Sequence, residues 1–256
     1  MNALILAAGY GSRLASSLAE PKPLAPVAGR SLLEWGVWQA ARAGVTRVVV
    51  VTGHRAAEVE ACLPGIAQAC GVAVEPCRLD DWSRPNGHSV LAGSALIDGN
   101  YLLMMADHLF EASLLARLVQ GMARASGALL AVDRACDGPA IDPADATWVR
   151  TRPDGRIAAI GKHLALRNAV DCGAFIATPD LAGAIRACIA GGAAGSLSDG
   201  MQHLAARGLA DSVDVTGHWW IDVDDAAMLA LARRAGPMFL DAALPAPVLP
   251  PRRAVA

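Results

Sequence analysis

Apolar runs recur through the first half of the chain at residues 2–7, 47–52, 72–76, 101–106 and 128–133. Each is short and bounded by glycine or polar residues. Runs of this length with little polar alternation predict strands, most of them covered on both faces. Between them, residues 31–43, 56–69, 89–96 and 113–125 carry helix-compatible sequence, and Ser31 stands where a helix cap belongs. Strand and helix taken in turn predict an α/β fold with one Rossmann-like, mostly parallel sheet flanked by helices. Ligands of such sheets sit beyond the carboxyl ends of the strands.

From Trp148 the pattern changes. Residues 148–152 and 156–160 flank Pro153-Asp154-Gly155, a hairpin signal, and residues 170–176 form a further strand, so a small antiparallel insertion is expected on one side of the sheet. Residues 182–190, 201–206 and 226–235 read as helices. Residues 237–256 hold five prolines and no apolar periodicity, which predicts one folded domain over 1–236 and a proline-rich tail or linker over 237–256.

Composition narrows the class. The 256 residues suffice for a sizeable core, and 54% are hydrophobic, yet no apolar run reaches the length of a membrane span. A net charge of -2 gives nucleic acid no electrostatic footprint to bind. Six scattered cysteines without C-x-x-C spacing, and a start that enters a strand with no basic or cleavable segment, point to reduced thiols in a cytoplasm.

The chemistry begins at the first strand, where Leu4-Ile5-Leu6-Ala7-Ala8 breaks into Gly9-Tyr10-Gly11-Ser12-Arg13, and Pro21-Lys22-Pro23 follows. Glycines leave backbone N–H groups free to curl round an anion; Arg13 can fork onto a phosphate, and Lys22, stiffened by its prolines, adds a point charge. A dinucleotide fingerprint would need glycine where Leu14 stands, and a P-loop would need Gly-Lys-Ser/Thr where Ser12-Arg13-Leu14 stands. Two carboxylates end apolar runs: Asp107 after Met104-Met105-Ala106, and Asp222 after Trp219-Trp220-Ile221. Either could cap a helix; together with a phosphate loop they read as ligands of a hard divalent cation. Asp224 and Asp225 fall where a cap and a first helical turn belong, and His108 beside Asp107 could orient it or serve structure alone. The polar loop ending Asn86-Gly87-His88-Ser89 reads as a turn opening a helix at Ser89, and Lys162 closes a strand with a cation.

The Ala-Ala-Gly-x-Gly-x-Arg-Leu and Pro-Lys-Pro-Leu motifs, in that order, resemble the signature of the sugar nucleotidyltransferases. The Asn86–Ser89 loop, Ala106-Asp107-His108, Ile160-Gly161-Lys162, Val170-Asp171-Cys172-Gly173 and Ile221-Asp222-Val223-Asp224 extend the likeness. Within that superfamily the chain is similar to the CTP:inositol-1-phosphate cytidylyltransferases. The resemblance implies CTP and a phosphorylated small-molecule acceptor as partners, with Mg2+ as cofactor. It also implies that Leu6, Ala8 and Gly9 touch the nucleotide, Gly11, Arg13 and Lys22 the triphosphate, and Asn86 and Ser89 the cytosine side. Asp107 and Asp222 would hold the metal, and Lys162 would meet the acceptor phosphate. Related enzymes act on choline phosphate or hexose 1-phosphates, and the same fold also serves as a non-catalytic nucleotide sensor. Some members carry a membrane phosphotransferase behind this domain, which makes such an enzyme a downstream partner.

Overall fold

A computed structural model describes residues 1–15, 18–138 and 140–240. The chain enters through β1 (Asn2–Ala7), a short α1 (Ser12–Ala15), the ribbon β2 (Pro26–Val27) and β3 (Arg30–Ser31), and α2 (Leu32–Arg42). It continues through β4 (Arg47–Thr52), α3 (Ala56–Cys70), β5 (Ala73–Arg78), α4 (Asn86–Ser94), β6 (Tyr101–Met105), β7 (His108–Phe110), α5 (Ala112–Gln120) and β8 (Ala128–Asp133). The second half holds β9 (Trp148–Thr151), β10 (Ile157–Gly161), β11 (Ala169–Ala177), α6 (Pro179–Ala190), α7 (Leu197–Ala206), β12 (Ala210–Asp214), β13 (Trp220–Asp222) and α8 (Ala226–Phe239).

The main sheet runs β10-β9-β11-β6-β1-β4-β5, with β8 on β11 and β12 on β8. Its half from β5 to β6 is parallel, as expected from the alternation of elements; β11 then pairs antiparallel with β6, β8 and β9. The antiparallel segment is thus a continuation of the same sheet. The hairpin of β9 and β10 closes where predicted, with Gly155 N–H donating to Arg152 O.

Alternation of side chains sorts the core. Ala3, Ile5 and Ala7 of β1 face the layer of α2 and α3, and Leu4, Leu6 and Ala8 face the layer of α4, α6 and α7. A third cluster joins Leu14, Val27, Trp35 and Leu109 to Ile221 and Leu229, fastening α8 beneath the first loop. The close approach of α4 to the sheet depends on Gly93, where an added Cβ would lie 2.2 Å from Leu4 Cδ1. This seats the start of α4 at the carboxyl edge of β1 and β4.

Several boundaries differ from expectation for physical reasons. Helix α4 begins at Asn86, three residues before Ser89, because Pro85 holds extended backbone immediately ahead of it. Helix α7 begins at Leu197, set by a capping box of Ser196 and Asp199, and α6 begins at Pro179 behind a Thr178 cap. Strand β5 continues past Pro76 to Arg78, which an edge strand tolerates because its outer side needs no donor. Helix α8 likewise passes through Pro237 to Phe239, beyond the expected boundary at 236; the rest of the expected tail, 241–256, lies outside the described residues. No helix among the described residues is long and apolar enough to cross a membrane.

Candidate active site

The cleft lies off the carboxyl ends of β1 and β6, where the chain's distant acids and bases meet. Gly11 adopts φ +64, and a Cβ there would sit 2.7 Å from Lys22 Cδ. The glycine loop and the Pro-Lys-Pro turn are therefore one fitted unit: the second glycine supplies the left-handed backbone and the room through which the lysine stem passes. Lys22 is only 6% exposed, and its Nζ donates to Asp107 Oδ2 at 2.6 Å and to Asp224 Oδ1. Burial alone would push Lys22 toward neutrality, but Asp107, Asp224 and Asp222 outweigh it and hold the ammonium far above its ordinary range.

Asp107 is delivered by the end of β6 and Asp222 by β13, which pairs antiparallel with β7 so that Asp222 stands opposite His108. Nδ1 of His108 lies 2.8 Å from Asp107 Oδ1 and 3.7 Å from Asp222 Oδ1. Its ring stacks on Trp220 at 6.3 Å between centroids, and Trp220 Nε1 is itself held by Asp133. Behind the ring stands Gly173 at φ +77, where a Cβ would come within 2.4 Å of His108 Cδ2. Burial would lower His108, but Asp222 and Asp107 raise it to about 9; burial lifts Asp222, against the pull of His108. Asp107 goes the other way, because Lys22 and His108 overcome its desolvation and keep it ionised.

Arg13, on α1, donates to Asp145 Oδ2 at 2.6 Å and to Asp224 Oδ2 at 2.5 Å, with Asp142 at 3.4 Å. Lys162, after β10, reaches the other oxygen of Asp145 at 2.5 Å. Charges therefore alternate across the cleft in the order Lys162, Asp145, Arg13, Asp224, Lys22, Asp107, His108. The chain has only two lysines, and both stand in this ladder. With its ions so paired, the cavity is about 240 Å³, below the roughly 300–1,000 Å³ typical of small-molecule sites.

Every charged residue singled out from sequence is in this cluster: Arg13, Lys22, Asp107, Lys162 and Asp222. Asn86 lines the cleft, but its Oδ1 accepts from Leu197 N–H at the start of α7, leaving the amide nitrogen to face outward. Ser89 is buried on α4, away from the lining; Leu6 and Ala8 are buried under the loop, and Gly9 is exposed. Three acids of the cleft escaped sequence reasoning. Asp225 is the cap of α8, whereas Asp224, assigned to the same role, points into the cleft instead. Its two-residue offset from Asp222 across extended backbone, which puts both on one side, was the usable signal. Asp142 and Asp145 sit on a loop with no local signature.

The donor set suits a hard divalent cation. Ligand atoms of Asp107, His108 and Asp222 lie within 4.8 Å of one another, as do those of Asp145, Asp222 and Asp224. Asp222 Oδ1 is buried without a hydrogen-bond partner, an arrangement that a cation would satisfy.

A mixed α/β sheet whose first, glycine-bearing loop faces paired carboxylates and convergent cations is the architecture of a nucleotidyltransferase domain. The chain belongs to the family of MobA-like NTP transferase domains, whose model matches residues 3–203. It is 34% identical over 236 residues to a bifunctional IPC transferase and DIPP synthase of Rubrobacter xylanophilus, covering 91% of this chain and 51% of that protein. The Aquifex aeolicus protein of the same name is 30% identical over 223 residues, covering 87% of this chain and 48% of its own length. The chain thus spans about half the length of these curated relatives. The solved inositol-1-phosphate CTP transferase from T. maritima superposes with a TM-score of 0.75 at 22% identity, covering 91% of this chain and 96% of that one, which shows a shared fold.

Proposed function

We propose that this chain transfers CMP from CTP to the phosphate of a small alcohol phosphate, inositol 1-phosphate first among them, giving CDP-inositol and pyrophosphate. The observation that carries this reading is the convergence of Arg13, Lys22 and Lys162 with Asp107 and Asp222 in one cleft beside the glycine loop. The names of the relatives support the acceptor and the nucleotide.

The reaction needs charge control more than proton transfer. The acceptor phosphate, with its second pKa of about 6, is mostly a dianion at neutral pH and is already a nucleophile. One of its oxygens attacks the α-phosphorus; as that bond forms, the bond from the α-phosphorus to the bridging oxygen breaks, and pyrophosphate leaves with the electron pair. Two anions must be brought together, so the work is alignment and neutralisation. Leu6, Ala8 and Gly9 would bear on the nucleoside, Gly11, Arg13 and Lys22 on the triphosphate, and Asn86 on the cytosine side, with the buried Ser89 behind it in α4. Lys162 would hold the acceptor phosphate. Asp107 and Asp222 would hold Mg2+, which when bound screens the phosphates and polarises the α-phosphoryl group. His108, clamped by Trp220 and Gly173, fixes the direction of the Asp107 carboxylate and stands 3.7 Å from that of Asp222. A cytoplasmic setting, and a membrane phosphotransferase that consumes the product, belong to the same reading.

The test is pyrophosphate release with CTP, UTP or GTP, Mg2+ and a panel of inositol 1-phosphate, choline phosphate and hexose 1-phosphates. Turnover with CTP and inositol 1-phosphate is expected. Faster turnover with another nucleotide or acceptor would move the specificity; silence across the panel with retained CTP binding would identify a nucleotide sensor.

A further inference from the structure

The loop bearing Asp142 and Asp145 connects β8 to β9 and takes no part in the chemistry assigned above. Yet it bonds two of the cleft's three lysine and arginine cations. One oxygen of the Asp145 carboxylate accepts from Arg13 at 2.6 Å and the other from Lys162 at 2.5 Å. Arg13 follows the central strand β1 and Lys162 the edge strand β10, and in the reading above they serve different substrates. A carboxylate offers two acceptor oxygens on one central atom, as a phosphate does, and it is the other anion onto which guanidinium readily forks. We propose that Asp145 is a built-in phosphate stand-in: in the empty enzyme it occupies the place of a substrate phosphate between the triphosphate-side and acceptor-side cations, and it must be expelled when phosphate enters. Asp142, at 3.4 Å from Arg13, is its weaker second.

Two consequences follow from one carboxylate holding both cations. Any phosphate that binds Arg13 or Lys162 competes with Asp145, so the loop weakens binding of the first substrate. Once Asp145 has left, Lys162 has lost its carboxylate and Arg13 keeps only Asp224 and Asp142, so the second substrate binds to a site already partly opened. The loop thereby couples two subsites that share no side chain.

The proposal rests on the assignment of Arg13 and Lys162 to phosphates, and its test avoids dependence on the identity of base or acceptor. The affinity of inorganic pyrophosphate is measured by calorimetry, in EDTA, for the wild-type chain and for Asp145→Asn, a substitution that keeps size and removes charge. Both pairs are partly exposed, so their joint loss is expected to tighten pyrophosphate binding about fivefold. Asp142→Asn is expected to have a smaller effect in the same direction. In the wild-type protein, amide exchange over residues 140–147 is expected to quicken when pyrophosphate binds, since Asp145 N–H and Ala146 N–H, now bonded to Asp142 O, belong to the released loop. Unchanged or weaker binding in Asp145→Asn, no pyrophosphate binding by either protein, or slower exchange in the loop on binding would each overturn the proposal. Failure here in an enzyme that releases pyrophosphate from CTP would leave the transferase reading intact. The predicted response to pyrophosphate in a protein that turns over no nucleotide would do the reverse.

Discussion

Gly173→Ala changes one hydrogen for a methyl group directly behind the His108 ring, and the structure makes it a test of how the carboxylates are aimed. The new Cβ would lie 2.4, 2.6 and 2.9 Å from Cδ2, Nε2 and Cγ of His108. Ordinary contact between such atoms is about 3.5 Å, so the ring must retreat by about 1 Å. It cannot do so freely, since Trp220 and Phe110 flank it with centroids at 6.3 and 6.2 Å and the residue is buried. The backbone adds its own penalty, because φ +77 is left-handed. Left-handed backbone and overpacking together cost about 2–5 kcal/mol, a fall of about 10 °C in melting temperature for a domain of this size. Asp107, bonded to the displaced ring, shifts with it, and a misplacement of about 1 Å costs on the order of a hundredfold in turnover. The assays are a calorimetric melt and single-turnover pyrophosphate release. In the double variant with His108→Ala the clash is gone, so the melting temperature is expected to recover most of its loss. A Gly173→Ala enzyme as stable and as fast as the wild type would refute the positioning role of His108.

Three further outcomes are expected. Asp107→Ala lowers the rate constant on the order of a thousandfold in the pyrophosphate-release assay with Mg2+, by loss of a preorganised charge; a wild-type rate would remove Asp107 from the metal site. Lys22→Met leaves Asp107, Asp222 and Asp224 facing one another without their buried cation and lowers unfolding free energy by about 3 kcal/mol in urea, besides abolishing turnover; Lys22→Met with unchanged stability would show that the ladder is solvated. Burial lifts the Asp171 carboxyl to about 6, against a bond from Gly173 N–H, while an unfolded Asp titrates near 4. The folded state thus holds the proton more tightly; the penalty is absent below about pH 4 and complete by about pH 6. Wild-type stability should fall across that window relative to Asp171→Asn, and parallel pH profiles would count against it.

Much of the fold was legible because the strands at the centre of the sheet are largely apolar, whereas β12, with Asp211 and Ser212 in it, gave no such signal; the first loop is fused to a strand, so the sheet edge where the cleft lies could be read from residues 2–24. The partners Asp107 and Asp222 were legible for the same reason, each ending an apolar run at a sheet edge. What resisted reading was set by contacts over long separations. Asp224 looked like a cap because a cap was due there, and only the arrival of Arg13 and Lys22, 211 and 202 residues away, gives its side chain another purpose. Asp145 has no local pattern at all; its partners Lys162 and Arg13 lie 17 and 132 residues off. Ser89 shows the converse: a polar residue at the mouth of a loop in sequence, it becomes buried helix once Pro85 starts α4 early.

The two-stranded ribbon of β7 and β13 sets the timetable of this molecule. It splices residues 108–110 to 220–222, with Asp107 immediately before the first strand and Asp222 closing the second. A ribosome must therefore make nearly the whole domain before Arg13 and Lys22 can meet Asp224 and His108 can meet Asp222. Nascent chains and internal fragments ending before residue 222 should lack the transfer activity proposed above however well their parallel strands have formed.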